Sequence, residues 1–140
     1  MNLDICNMAE DIKNMHKHYD MQQIGEDTIR QKDFLNFRKD FLQEEIDELT
    51  LAIESNDADG VVDSIIDLLF VGITTLDLLG VDVNEAWKEV LVANMNKIAK
   101  ENPTRPNKFG FPDLAKPDGW VAPNHVDNLG DMKDWTKNDK

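Results

Sequence analysis

The sequence predicts an all-α fold, a bundle of four helices followed by a non-helical tail. Three observations carry this. Apolar residues recur at steps of three and four through the first hundred positions, the period of a helix with one buried face. Short stretches of turn and cap residues divide that pattern into helix-sized pieces. From Asn102 onward prolines, glycines and asparagines replace the periodic pattern, so residues 1–101 are expected to form the helical domain and residues 102–140 an irregular extension.

Ile5, Met8, Ile12, Met15 and Tyr19 lie on one side of the first helix. After a polar connection around Gly25, a second helix is expected from near Asp33 to about Ser55, with Phe34, Phe37, Phe41, Leu49 and Ile53 as its apolar members. Asn56-Asp57-Ala58-Asp59-Gly60 then interrupts the pattern with turn and cap chemistry. The third helix, about Gly60 to Leu79, is apolar around most of its circumference, so one neighbouring layer cannot cover it. It is expected at the centre of the bundle and at a subunit interface, in a homodimer or homotetramer. Gly80 ends it. Asp82 with Glu85 forms a capping-box variant that opens a fourth helix to about Lys100, with Trp87, Leu91, Asn94 and Ile98 on its inward face. Phe109, Phe111 and Trp120 are scattered through the tail, and Asn124 to Lys140 is polar enough to be expected partly disordered.

The chain has 140 residues, enough to bury a core without disulfides or structural metal. Its 28 acidic and 15 basic side chains leave a net charge of −13, which excludes a direct grip on nucleic-acid backbone. Free nucleotides stay open as ligands if a metal supplies positive charge. The single cysteine, Cys6, excludes an internal disulfide and fits a reducing compartment; a structural role is expected for it. Asp4 and Glu10 interrupt any secretory-signal pattern, and Asp63, Asp67 and Asp77 break the apolar run 61–80. The expectation is a cytoplasmic protein with no membrane span.

The second helix carries Glu44-Glu45-Ile46-Asp47-Glu48. In a chain this acidic, three acids at a fixed spacing arise about once by chance, so the pattern alone says little. Its orientation says more. At about 100° per residue from Phe34, the apolar arc runs between Phe37 and Ile46; Glu45 and Glu48 fall inside it, Glu44 at its margin and Asp47 well outside. Core-facing carboxylates are costly unless paired, protonated or bound to a cation. They either bind a metal, or reach solvent or pair with Arg38 or Lys39. On the third helix Asp63, Asp67 and Thr74 form a narrow polar stripe, with Asp63 and Asp67 one turn apart and mutually repelling. Two antiparallel helices joined by a short turn bring Glu45, Glu48, Asp63 and Asp67 together, an all-oxygen ligand set suited to Mg²⁺ or Mn²⁺. His16 and His18 point to different faces and do not make a metal site.

The Glu44-Glu45-x-x-Glu48 pattern, followed after the turn by a motif ending in Asp67-Leu68-Leu69-Phe70, resembles the all-α nucleoside triphosphate pyrophosphatases, the MazG-like superfamily that includes the phosphoribosyl-ATP pyrophosphohydrolases and dimeric dUTPases. The resemblance runs from about Leu3 to Lys100. Val92-Ala93-Asn94-Met95-Asn96-Lys97 is similar to the N-M-x-K segment of phosphoribosyl-ATP pyrophosphohydrolase-like members, and Lys116-Pro117-Asp118-Gly119-Trp120 to the ends of some relatives. The chain departs from the family at its second motif, E-x-x-D, which would put a glutamate at Ser64 if Asp67 is the motif aspartate, or at Gly60 if Asp63 is. Asp63 can serve instead.

What the resemblance implies is Mg²⁺-dependent hydrolysis of (deoxy)nucleoside triphosphates to monophosphate and pyrophosphate. Glu45, Glu48 and Asp67 would be the principal metal ligands and Asp63 would complete the set. Glu44 would hold a second ion or deprotonate the attacking water, making Glu44 and Glu45 the catalytic pair. Arg38, Lys97 and Lys100 are candidates for neutralising the triphosphate, although exposed helix charge is the simpler role for each. Asn94 is a candidate for reading base or sugar against a core amide satisfied by backbone. Trp120 is a candidate for stacking on a base against an aromatic anchor for the tail. A dUTPase and a phosphoribosyl-ATP hydrolase are open within this class. The rival outside it is a non-catalytic acidic binding protein that mimics DNA, which should carry its acids outward.

Overall fold

In a computed structural model, residues 7–101, 104 and 108–137 are described. The expectations for Ile5 and Cys6 lie outside these residues. The chain runs α1 (Met8–His18), α2 (Thr28–Glu54), α3 (Ala58–Leu78), α4 (Val83–Met95), β1 (Ile98–Lys100), β2 (Asp113–Ala115) and a 3₁₀ turn, Gly130–Met132. It divides into one unit of residues 1–83 with 128–140 and a second of residues 84–127. Among the described residues no helix is long and apolar enough to cross a membrane.

In the first unit, α1 opens on Asn7, whose side chain accepts from the Glu10 amide at 3.1 Å. Helix α2 starts at Thr28, about a turn before the expected Asp33, because Asp27 caps it by accepting from the amides of Ile29 and Arg30. It ends where Asn56 turns left-handed at φ 58°, a conformation asparagine tolerates. Asp57 then caps α3 through the Gly60 amide at 2.9 Å. Helices α2 and α3 therefore run back to back, antiparallel, along most of their lengths, and α1 packs on the C-terminal half of α3. The tight start of α3 depends on Gly60: a Cβ there would stand 2.5 Å from Asp57 Oδ2 and 3.2 Å from Ala52 Cβ.

The expected disorder of the last stretch is not what its described part shows. The 3₁₀ turn is locked to the end of α3 by Asp131, whose amide donates to Leu79 O at 2.7 Å. Gln31, fully buried on α2, donates to Asp131 O and Gly25 O, each at 2.7 Å, and accepts from Trp135 Nε1 at 2.6 Å. Gly130 is required there: its φ is 56° and a Cβ would lie 2.2 Å from Leu79 O. Composition missed this segment because specific hydrogen bonds rather than apolar area hold it. Residues 138–140 lie outside the described set.

In the second unit, α4 stops at Met95, short of the expected Lys100. The chain instead forms a two-stranded antiparallel ribbon in which Ile98 pairs with Ala115 and Lys100 with Asp113. The expected inward face of α4 is also displaced. Trp87, Leu91 and Ile98 are exposed, whereas Ala93 is buried and its carbonyl accepts from Trp120 Nε1 at 2.7 Å. A small residue at the contact lets the tail lie close against the helix.

Candidate metal centre

The α2–α3 pair positions the acidic side chains. Glu45 and Glu48 stand one turn apart on α2, and Asp63 and Asp67 one turn apart on α3. Glu45 is half-buried, and its Oε2 is buried with no hydrogen-bond partner. Its carboxyl is pushed above the ordinary glutamate value, first by burial, then by the charges of Glu48 and Asp67, by contact with the Glu48 carboxyl and by the charge of Asp63. The structure thus brings all four expected carboxylates into one electrostatic neighbourhood. Asp67 is half-buried; Glu48, Asp63 and Glu44 are exposed, so Glu48 is more open to water than its place in the apolar arc predicts. Asp47 points outward as expected and accepts from Gln43 at 3.0 Å.

Among the described residues, no three Asp, Glu, His or Cys side chains are gathered closely enough to hold a metal as they stand. The fit is one of charge and donor type. A buried carboxylate oxygen lacks a partner beside three further carboxylates, and a hard divalent cation would relieve both the missing bond and the repulsion if side chains rotated inward. Ser64, where the resemblance would place a glutamate, is buried. The alternative register at Gly60 has no room for a side chain.

Arg38 sits seven residues from Glu45 along α2, and Thr74 seven from Asp67 along α3, so both lie on the faces that carry the carboxylates. Its Nε donates to Thr75 Oγ1 at 2.8 Å, and its Nη2 donates to Val71 O at 3.3 Å and to Thr74 Oγ1. The guanidinium lies over the rings of Phe34 and Phe41, and burial holds its pKa below the usual value. The other expected substrate residues, Asn94, Lys97 and Trp120, belong to the second unit. Asn94 Nδ2 donates to Val90 O at 2.9 Å, satisfying the amide within its own helix. Lys97 lies over the Trp120 ring. Lys100 is exposed on β1.

Sequence reasoning missed two polar clusters. Asp77, in the apolar helix α3, binds Lys13 Nζ and His16 Nδ1, each at 2.6 Å. The signal was there: His16 is one turn after Ile12 on the apolar stripe of α1, and Asp77 is an acid amid apolar neighbours. The Gln31 knot gave no such signal, since Asp131 and Trp135 lie about a hundred residues away.

The sequence profile of the phosphoribosyl-ATP pyrophosphohydrolases matches residues 9–94, more than half the chain and the segment that carries both acidic helices. The chain belongs to the phosphoribosyl-ATP pyrophosphohydrolase family. This places it in the MazG-like all-α superfamily, as the acidic motifs anticipated. Among curated proteins no relative matches this family member. Within the family match lie the four carboxylates, Arg38 and Asn94; Lys97, Lys100 and Trp120 lie beyond it.

Proposed function

We propose that this protein is a Mg²⁺-dependent pyrophosphohydrolase that converts (deoxy)nucleoside triphosphates to monophosphates and pyrophosphate, with Mn²⁺ as an alternative ion. The observation that carries this reading is the unpartnered, buried Oε2 of Glu45 beside Glu48, Asp63 and Asp67. A solvated acidic face would not bury a carboxylate oxygen unsatisfied, and a DNA mimic would turn it outward. Glu45, Glu48, Asp63 and Asp67 would hold the ion, and Glu44, exposed beside them, would take the proton of the attacking water. When bound, the ion neutralises phosphate charge and acidifies water. The protein's own part is to keep the carboxylates of two helices in register, so that rotation of side chains alone would close them on the ion.

The family match favours phosphoribosyl-ATP as a second substrate reading on the same centre. Ribo- and deoxyribonucleoside triphosphates and phosphoribosyl-ATP, assayed together for pyrophosphate release with Mg²⁺, Mn²⁺ or EDTA, test both. Pyrophosphate release that EDTA abolishes is the expected result. Orthophosphate release, activity that survives EDTA, or no turnover on any of these compounds overturns the proposal.

A further inference from the structure

In the second unit, β1 and β2 pair antiparallel with Ile98 opposite Ala115, and Lys97 and Lys116 flank this last rung of the ribbon. Like charges brought close together repel. A turn then returns the chain toward this rung: the Trp120 amide donates to Pro117 O at 3.0 Å, and Gly119 takes φ +76°, which a side chain would strain. Trp120 is fixed there by its indole bond to Ala93 O. The ammonium of Lys97 lies 5.4 Å from its ring centroid, and that of Lys116 4.9 Å.

Two ammonium groups therefore share one indole. Among the described residues no carboxylate pairs with either. The surrounding sequence is basic in an acidic protein: residues 97–116 carry Lys97, Lys100, Arg105, Lys108 and Lys116 against Glu101 and Asp113, in a chain of net charge −13. Cation–π contact offsets part of the repulsion at exposed sites but leaves both charges unneutralised.

We propose that Lys97, Lys116 and Trp120 form a binding site for a multiply charged phosphate anion, with inorganic pyrophosphate as its simplest ligand. Its several charges satisfy two separated point charges at once, whereas a carboxylate satisfies one. Lysine ammonium groups on flexible stems can swing from the ring to phosphate oxygens without moving the backbone. The site needs no metal, and it stands or falls independently of hydrolysis at the acidic centre.

Pyrophosphate is titrated into the full-length protein in EDTA, read by calorimetry and by the ¹⁵N-indole resonance of Trp120, assigned with Trp120→Phe. Saturable binding that shifts this resonance is expected. Lys97→Met and Lys116→Met, which keep the apolar stems, should each weaken binding about tenfold, and Lys116→Arg should restore it. Orthophosphate should bind more weakly, nucleoside monophosphate no better than orthophosphate, and acetate not at all. Matching thermal melts for the Met variants separate lost binding from lost fold. An unmoved Trp120 resonance at millimolar pyrophosphate, or affinity unchanged in the double Met variant, overturns the site, even if nucleotide hydrolysis with Mg²⁺ is intact. Metal-free binding without turnover on any nucleotide supports the site and counts against the hydrolase reading alone.

Discussion

His16 Nδ1 lies 2.6 Å from Asp77 Oδ2, a buried contact that ties α1 to the C-terminal half of α3. Asp77 also accepts from Lys13 at 2.6 Å. Burial alone would raise the Asp77 pKa, but the hydrogen bonds and charges of Lys13 and His16 outweigh it and hold it below the usual 3.8. A depressed carboxylate stabilises the fold above its unfolded pKa, and that stability is lost as pH falls through the folded value. Asp77→Asn should therefore destabilise by about 2 kcal/mol near neutral pH, chiefly through the buried His16, because Lys13 is largely exposed and screened. The gap between wild type and variant should close below pH 3.8. Urea melts of both proteins across pH measure it; equal stability at pH 7 would show the pair to be passive.

Glu45 has the opposite sign. Its carboxyl is raised above 4.5, so the ionised form is disfavoured in the folded apo protein. Glu45→Gln should melt at a higher temperature than wild type in EDTA at neutral pH, and the advantage should vanish as pH falls below 4.5, where wild type is protonated folded or unfolded. Mg²⁺ should reverse the order, because only wild type gains from binding it. Turnover of the variant should fall at least about a hundredfold. A variant less stable than wild type in EDTA would give Glu45 a structural ion-pair role instead.

Much of this arrangement is legible in the sequence. Helical period and cap residues place α2 and α3 to within a turn or so, and the arc of apolar residues turns Glu45 and Glu48 inward, of which Glu45 is half-buried and Glu48 exposed. Period cannot show what two helices do to each other. That Arg38 bonds α3, that Gly60 is fixed by Ala52 and Asp57, and that α4 yields to a ribbon after Met95 are consequences of tertiary contact. The tail misleads for the same reason, since Gln31 and Trp135 are ordinary residues until the fold brings them together.

Arg38 bonds Thr74 and Thr75 about one heptad from the carboxylates on both helices, and so ties α2 to α3 beside the candidate metal centre. Arg38→Met keeps an apolar stem at this position but removes the guanidinium, with its ring contacts and its bonds to α3. The Mg²⁺ midpoint is expected to rise about tenfold with turnover at saturating metal largely retained, whereas a phosphate-binding role would raise KM for nucleotide at saturating metal. Stability should drop by about 1–3 kcal/mol from the lost Arg38 bonds, although Thr74 and Thr75 keep their own bonds to the carbonyls of Phe70 and Val71. Metal titrations and steady-state kinetics separate the two roles.

Val62 is 65% exposed and Ile66 54% on the same side of α3, with Leu69 and Phe70 also open. A run of large apolar side chains on one helix face exceeds what isolated exposed residues explain, and a second copy is the occupant expected from the apolar circumference of α3. Light scattering should give a dimer or tetramer at micromolar concentration, and Val62→Lys with Ile66→Lys should shift it toward monomer. A wild-type monomer under those conditions contradicts the assignment.

At the second acidic motif Ser64 is buried and Asp63 is exposed beside it. Asp67 is half-buried and among the charges that raise Glu45, acting more strongly than Asp63. If these carboxylates hold the ion, Asp67→Asn should lose at least about a hundredfold in turnover. Asp63→Asn should be impaired by roughly tenfold, since a shorter acid facing solvent acts through an intervening water more readily than by direct ligation. Ser64→Ala should be nearly neutral in activity. Ser64→Glu adds a carboxylate at a buried position next to Asp63, so it should destabilise the protein in EDTA and recover stability with Mg²⁺ if the added group reaches the ion. Turnover, Mg²⁺ midpoints and melting temperatures of the four variants test the ranking. Wild-type behaviour of Asp63→Asn would remove Asp63 from the ligand set and leave Asp67 as the sole contribution of α3.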